Sequence, residues 1–205
     1  MESYITIHHY ATFEYEDRKS IFIGDAMPVS TEDDALAFIE LVKKKYPDAR
    51  HHVYAYVLRE NSIMRFSDDR EPQGTAGMPV LDVIRKNGIT DAVIVVTRYF
   101  GGTLLGTGGL VRAYTSAALG AIENATVITY DVYVTLSIET TYSDYQKFAP
   151  VFSEMGYRSN DIRYTDKVIL TGSVRKSAAN ELIDKLIQIT SGRAKIQIID
   201  EKFDF

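Results

Sequence analysis

Hydrophobic and polar positions change period several times along the chain, and each change marks an element. Ile21-Phe22-Ile23 with Ala26-Met27-Pro28 predicts a strand that closes at the proline, whereas the residues before it show no clean alternation. Residues 31–34 place a threonine hydroxyl at a helix start and an acid three positions on. Ala35, Leu36, Phe38, Ile39, Val42 and Tyr46 then recur at helical spacing until Pro47. Val53, Ala55 and Val57 alternate as a strand, with residues 63–66 as its hairpin partner. The stretch 67–74 is dense in turn formers and charges, which predicts a surface loop with no part in the core. A helix opening at Thr75 or Gly77 carries Val80, Leu81, Val83 and Ile84, tolerates Pro79 in its first turn and stops at Gly88.

The β-branched run Ala92-Val93-Ile94-Val95-Val96 predicts a central strand covered on both faces. Five glycines follow between 101 and 109, then a helix over 110–123 whose Ala113, Ala117, Ala118 and Ala121 permit close packing. A new pattern begins near residue 130. Val132, Val134, Leu136 and Ile138 alternate, a helix over 141–155 is kinked or shortened by Pro150, two strands follow, then a helix from Ser177 and a last strand over 195–199. The order βαββαβ is the split, ferredoxin-like plan. The 205 residues therefore divide into an α/β domain over 1–130 and a ferredoxin-like α+β domain over 131–205.

Composition narrows the chemistry. With no cysteine, disulfides, thiol nucleophiles and cysteine-held zinc are excluded, and a reducing cytoplasm is the expected compartment. No apolar run reaches the roughly 18 residues that would span a bilayer, so a membrane partner is not expected. A net charge of -5 argues against coating nucleic acid by bulk electrostatics. Neither half is a basic module, since thirteen cations face seventeen acids up to residue 130 and ten face eleven after it. Nucleic-acid contact must come from a local patch.

The glycine-rich stretch supplies such a patch. Gly101, Gly102, Gly106, Gly108 and Gly109 lie between a buried strand and a helix, where free backbone amides and the positive helix end receive an anion. Arg98 before the loop and Arg112 beyond it supply charge-assisted hydrogen bonds to the same guest. The bland alternative is that these glycines only make tight turns and a close helix-sheet contact. Gly74, Thr75 and Gly77 open the preceding helix in the same manner, directly after Asp68, Asp69 and Glu71. Those acids either cap the helix or, with His51, form a polar site able to hold magnesium beside a phosphate. His51 and His52 begin a strand and point to opposite faces, so they do not chelate one ion together. His8 and His9 lie near the terminus without ligand spacing, and no serine sits in a nucleophile elbow. Tyr99 and Tyr114 are candidates to stack on bases or to be buried.

Three stretches carry a family resemblance: Ala49-x-His51-x-x-x-Ala55; Ser67-Asp68-Asp69-x-Glu71-Pro72-x-Gly74-Thr75-Ala76-Gly77-x-Pro79; and Arg98-Tyr99-Phe100-Gly101-Gly102-x-x-Leu105-Gly106-x-Gly108-Gly109-Leu110-Val111-Arg112-Ala113-Tyr114. Together they resemble the signature of the YigZ/IMPACT family. The chain departs from that pattern at Arg70, in place of a glycine, and at Leu104 and Ile21, in place of cations. The resemblance implies a first domain with the fold shared by a ribosomal small-subunit protein domain and domain IV of elongation factor G, including a left-handed βαβ crossover. It implies a second domain like domain V of that factor. Eukaryotic members regulate translation initiation through a further N-terminal domain that does not match this chain.

Three readings follow. In the first, the glycine cleft contacts RNA or ribosome phosphate in a translation setting. In the second, an enzyme acts on a phosphorylated small molecule with a carboxylate-held metal. The third is a protein-protein interaction module in which the cleft is only structural.

Overall fold

The computed structural model describes residues 2–205 and contains two compact units, Tyr4–Thr129 and Tyr130–Phe205, with Glu2 and Ser3 grouped with the second. In the first unit, strands β1 (Tyr4–Ile7), β2 (Ala11–Asp17) and β3 (Ser20–Pro28) precede helix α1 (Glu32–Lys45). Then come β4 (His51–Leu58), β5 (Ile63–Ser67), α2 (Gly77–Lys86), β6 (Ala92–Tyr99) and α3 (Gly106–Asn124). The sheet runs β2-β3-β6-β4-β5 with every neighbouring pair antiparallel. Because side chains alternate along a strand, β6 feeds two cores at once. Its Ile94 and Val96 join Phe22, Val53, Ala55 and the alanines of α3, whereas Val93 and Val95 join Tyr56, Leu58 and the apolar face of α1. Helix α1 therefore covers one face of the sheet, and α2 and α3 cover the other.

Local chemistry fixes the helix positions. Thr31 caps α1 in a reciprocal box with Asp34, and Lys43, Lys44 and Lys45 complement the dipole at its far end. Lys45 also reaches the fully buried Asp25 at 3.0 Å, beside the Tyr10 hydroxyl. At Gly24 the backbone of α3 lies directly against the sheet: a methyl group there would collide with the carbonyl of Ala117. Its bareness, together with the small residues of α3, sets how deeply that helix sits and hence where its first turn emerges.

Several expectations are corrected. The region before residue 20, in which no strand is read, is ordered. It forms β1 and β2, and the His8 backbone N–H donates to Thr126 O at 2.8 Å, so the first histidines belong to ordered backbone. In β2 the half-buried Ala11, Phe13 and Tyr15 alternate with the exposed Thr12, Glu14 and Glu16, the period of two of an edge strand with one face on the core. Helix α3 starts at Gly106 rather than 110, so the later glycines are its first turn. The loop 67–74 does enter the core, through Glu71, which is buried.

The second unit comprises β7 (Val127–Thr140, which enters from the first unit), α4 (Tyr142–Tyr145), α5 (Phe148–Met155), β8 (Arg158–Tyr164), β9 (Val168–Arg175), α6 (Lys176–Ile189) and β10 (Lys195–Asp204). Its strands follow the order β10-β7-β9-β8, antiparallel throughout. The helix read over 141–155 is broken in two: Pro150 lacks an N–H and crowds the carbonyl of Gln146, where the break falls. The last strand runs past 199 through an irregularity between Ile198 and Asp200. Val134, Leu136, Ile138 and Leu170 pack with Phe148, Leu182 and Leu186. Asp144 is buried, caps nothing beyond its own turn, and accepts from Arg193 at 3.0 and 2.8 Å and from Lys147 at 2.8 Å. Those two cations hold its carboxyl far below the usual carboxylate range. Among the described residues no helix is long and apolar enough to cross a membrane.

Two outcomes follow. Gly24→Ala should lower unfolding free energy by about 1–3 kcal/mol in urea titration, because the helix must lift from the sheet; unchanged stability would mean α3 is free to shift. Because the Asp144 pKa is lowered on folding, its contribution is present above the unfolded value of about 3.9 and fades as pH falls toward the folded one. Melting curves of Asp144→Asn should therefore lack that acid-dependent component of wild-type stability.

Candidate functional site

The two glycine-rich helix starts of the first unit are chemically unlike. At α2 the amides are already taken. Asp68 Oδ2 accepts the Gly74 N–H at 2.9 Å, and Oδ1 accepts those of Ala76 at 3.1 Å and Gly77 at 2.8 Å. Thr75 Oγ1 donates to Pro72 O at 2.6 Å. This helix end carries its own carboxylate, and an incoming anion would meet a negative charge where it needs donors. The absence of a Cβ at Gly77 lets the backbone pass against the Ser67 carbonyl, so that glycine serves packing.

At α3 no side chain caps the helix. Gly106, Thr107 and Gly108 form an exposed first turn, and Gly106 adopts φ +72°, which a residue with a Cβ would strain to hold. Gly109 is buried against Leu105. One turn on, Arg112 is exposed and makes no hydrogen bond or ion pair among the described residues. Its guanidinium lies back along the helix, within 3.7 Å of where a Gly108 side chain would begin. The other wall is the turn between β2 and β3. Arg18 Nη1 donates to Leu104 O at 3.2 Å, Gly101 donates its N–H to Ser20 Oγ at 3.0 Å, and Gly101 presses on the Lys19 backbone so tightly that no Cβ fits. Gly102 stands in open space at φ +86°. Arg18, held at the Leu104 carbonyl, and Arg112, lying back toward Gly108, thus flank an uncapped helix start, with the Lys19 backbone packed on Gly101. Sequence reasoning passes over Arg18 and Lys19 because the strand before them is left unread; the alternation Ala11-Thr12-Phe13-Glu14-Tyr15-Glu16 is the signal that places them in a two-residue hairpin turn, where their backbones are left-handed at φ 47° and 65°.

Arg98 is elsewhere. Expected at the anion, it is buried on the face of β6 that packs under α3, and its Nη1 donates to Glu71 Oε1 at 2.6 Å. The Tyr114 hydroxyl donates to the same oxygen at 2.8 Å, and burial beside that carboxylate pushes the phenol well above its usual pKa. Opposite charges taken from water must pair, and Glu71 outcompetes any solvent anion for this guanidinium. Arg98 is therefore a clasp joining loop, strand and helix. Tyr114 is buried edge-on to Phe22 at 5.1 Å, and Tyr99 points to the opposite sheet face, so neither offers a base-stacking surface beside the glycines.

Of the two readings open for Asp68, Asp69, Glu71 and His51, helix cap or magnesium site, Asp68 takes the first and the group does not converge. Asp68 caps α2, Asp69 Oδ2 accepts the His52 N–H at 2.6 Å, Glu71 pairs with Arg98, and His51 Nδ1 lies 2.8 Å from the Asp69 carbonyl. Each acceptor is turned to a partner within the protein. Among the described residues no three His, Asp or Glu side chains gather as metal ligands. His52 Nε2 meets Tyr46 O at 3.0 Å on the other side of the sheet from His51.

This arrangement lies within residues 18–122, which match the model of the Impact N-terminal domain, and residues 138–193 match a domain of unknown function, DUF1949. The chain is 33% identical to IMPACT family member YvyE of Bacillus subtilis (strain 168), over 96% of this chain and 91% of that one. The chain belongs to the IMPACT family. Family member YigZ of Escherichia coli (strain K12) is 31% identical over 98% of this chain and 100% of its own. The similarity to the Protein IMPACT homolog of Saccharomyces cerevisiae is 30% over 44% of this chain and 36% of that protein. A crystal structure titled as a hypothetical protein superposes with a TM-score of 0.61 at 30% identity, covering 98% of both chains. In this IMPACT-family chain the matched N-terminal segment includes the β2–β3 turn, the Glu71–Arg98 clasp and the open start of α3.

Replacing Arg98 by Met should cost about 3–5 kcal/mol in chemical denaturation, since Glu71 is left buried and unpaired. Combining it with Glu71→Gln should recover much of that loss; a double variant as weak as the sum of the singles would show the two side chains are not coupled.

Proposed function

We propose that this IMPACT-family protein is a translation-linked binding protein that grips RNA phosphate at the open start of α3. The observation that carries the reading is the contrast between the two glycine-rich turns: one is filled by Asp68, the other leaves its donors exposed beside Arg18, Lys19 and the unpartnered Arg112. Uncapped amides and the helix dipole favour a negative group, and Arg112 on the helix with Arg18 at the Leu104 carbonyl raises local potential in a chain whose total is -5. Such a patch binds phosphate without making the whole surface basic. Eukaryotic members, which regulate translation initiation, share the matched N-terminal segment, and this supports the translation setting. The likeness of the first unit to domain IV of elongation factor G, and of the second unit's βαββαβ order to its ferredoxin-like domain V, belongs to the same proposal.

Arg112→Ala and Arg18→Ala should each weaken binding to purified ribosomes or structured RNA. Each should also flatten the dependence of log affinity on log salt by roughly 0.7–1, the share of one phosphate contact. Arg98→Met/Glu71→Gln, once shown to be folded, should leave the salt slope as in wild type. A slope unaltered by both surface arginines, or reduced by the buried one, would reject the site.

A further inference from the structure

We infer that the site takes an unpaired nucleotide, with Phe100 as the platform for its base. This rests on the phosphate reading above and adds the class of RNA. Phe100 follows β6 directly and is 53% exposed, although a phenyl ring gains nothing from water. It is not a loose side chain. The Arg98 guanidinium carbon lies over its ring at 5.7 Å, and that arginine is itself fixed by Glu71. On the other side Gly101 is pinned by Ser20 Oγ and by the Lys19 backbone, so the residue carrying the ring cannot retreat.

The surroundings suit a base and its phosphate together. Gly102, two residues on, stands in open space, and Leu104, 79% exposed, adds a second exposed apolar side chain to the same loop. Arg18, anchored to the Leu104 carbonyl, and Lys19 border the same loop, and the bare turn Gly106-Thr107-Gly108 follows it within a few residues. Aromatic rings that stack on bases next to cations bind single strands with little sequence preference, because every base presents a π face. A base held in a duplex has both faces occupied by its neighbours and cannot cover Phe100. A protein partner would also bury Phe100 and Leu104, but it has no need of the cationic, donor-rich wall beside them; that occupant is an outcome of the test below.

The chain has no tryptophan, so Phe100→Trp places one indole reporter at the platform. Adding a short oligouridylate should quench its emission, while a self-complementary RNA duplex at equal phosphate should not. Phe100→Leu should weaken oligouridylate binding roughly tenfold and leave duplex binding unchanged, whereas Arg112→Ala should weaken both. Because Phe100 is exposed, its substitution should leave the fold intact, which thermal melts of each variant check. If Arg112→Ala weakens RNA binding but Phe100→Leu does not and the indole stays unquenched, the phosphate reading stands and the unpaired-base inference is overturned. Equal loss of both RNA forms in Phe100→Leu also overturns it, as does binding of neither form by the wild-type protein, which removes the phosphate reading too. Failure to bind RNA combined with Phe100-dependent capture of a protein would place the protein occupant there instead.

Discussion

A single buried ion pair organises the first unit. Arg98 at the end of the central strand and Glu71 in a loop otherwise made of surface residues are both withdrawn from water, and Tyr114 of α3 donates to the same carboxylate oxygen. Two charges in a poorly solvating interior tolerate no loose geometry, so the clasp fixes three segments relative to one another. Once Glu71 is held, residues 68–77 are held, and Asp68 is placed over the start of α2. Once Tyr114 is held, the start of α3 is set with it.

That constraint explains why one glycine-rich turn is closed and the other open. The protein supplies its own anion to α2, satisfying donors that a helix start otherwise leaves to solvent. It supplies none to α3. There the glycines remove side chains that would cover the amides, Gly101 lets the loop lie against the β2–β3 turn, and cations gather at the border. Of the two arginines that sequence reasoning places at the anion, Arg98 is withdrawn by the fold, and Arg18 of the β2–β3 turn reaches the loop instead.

Much of the architecture was legible from pattern. The capping box at Thr31, the doubly covered strand 92–96, the alternation after 130 and the breaking power of Pro150 each act through local chemistry, and each appears where the residues point. The first two strands are missed for different reasons: β1 is only four residues long, whereas β2 does alternate, Ala11, Phe13 and Tyr15 against Thr12, Glu14 and Glu16, and its period was legible. The site was partly legible. Glycines before a helix announce open amides, but whether a carboxylate folds back over them depends on a loop conformation that spacing does not encode. The burial of Arg98 likewise depends on Glu71, 27 positions earlier in the chain. Similarity to the family located the domain but does not distinguish a clasp from a ligand contact, because both need the same residues.

The central claim is that donors are free at α3 and occupied at α2. Amide chemical shifts during titration with inorganic phosphate test it directly. The account predicts saturable, salt-sensitive shifts at Gly106, Thr107 and Gly108 with Gly74, Ala76 and Gly77 unmoved. Shifts confined to the second group, or absent from the first, would contradict it.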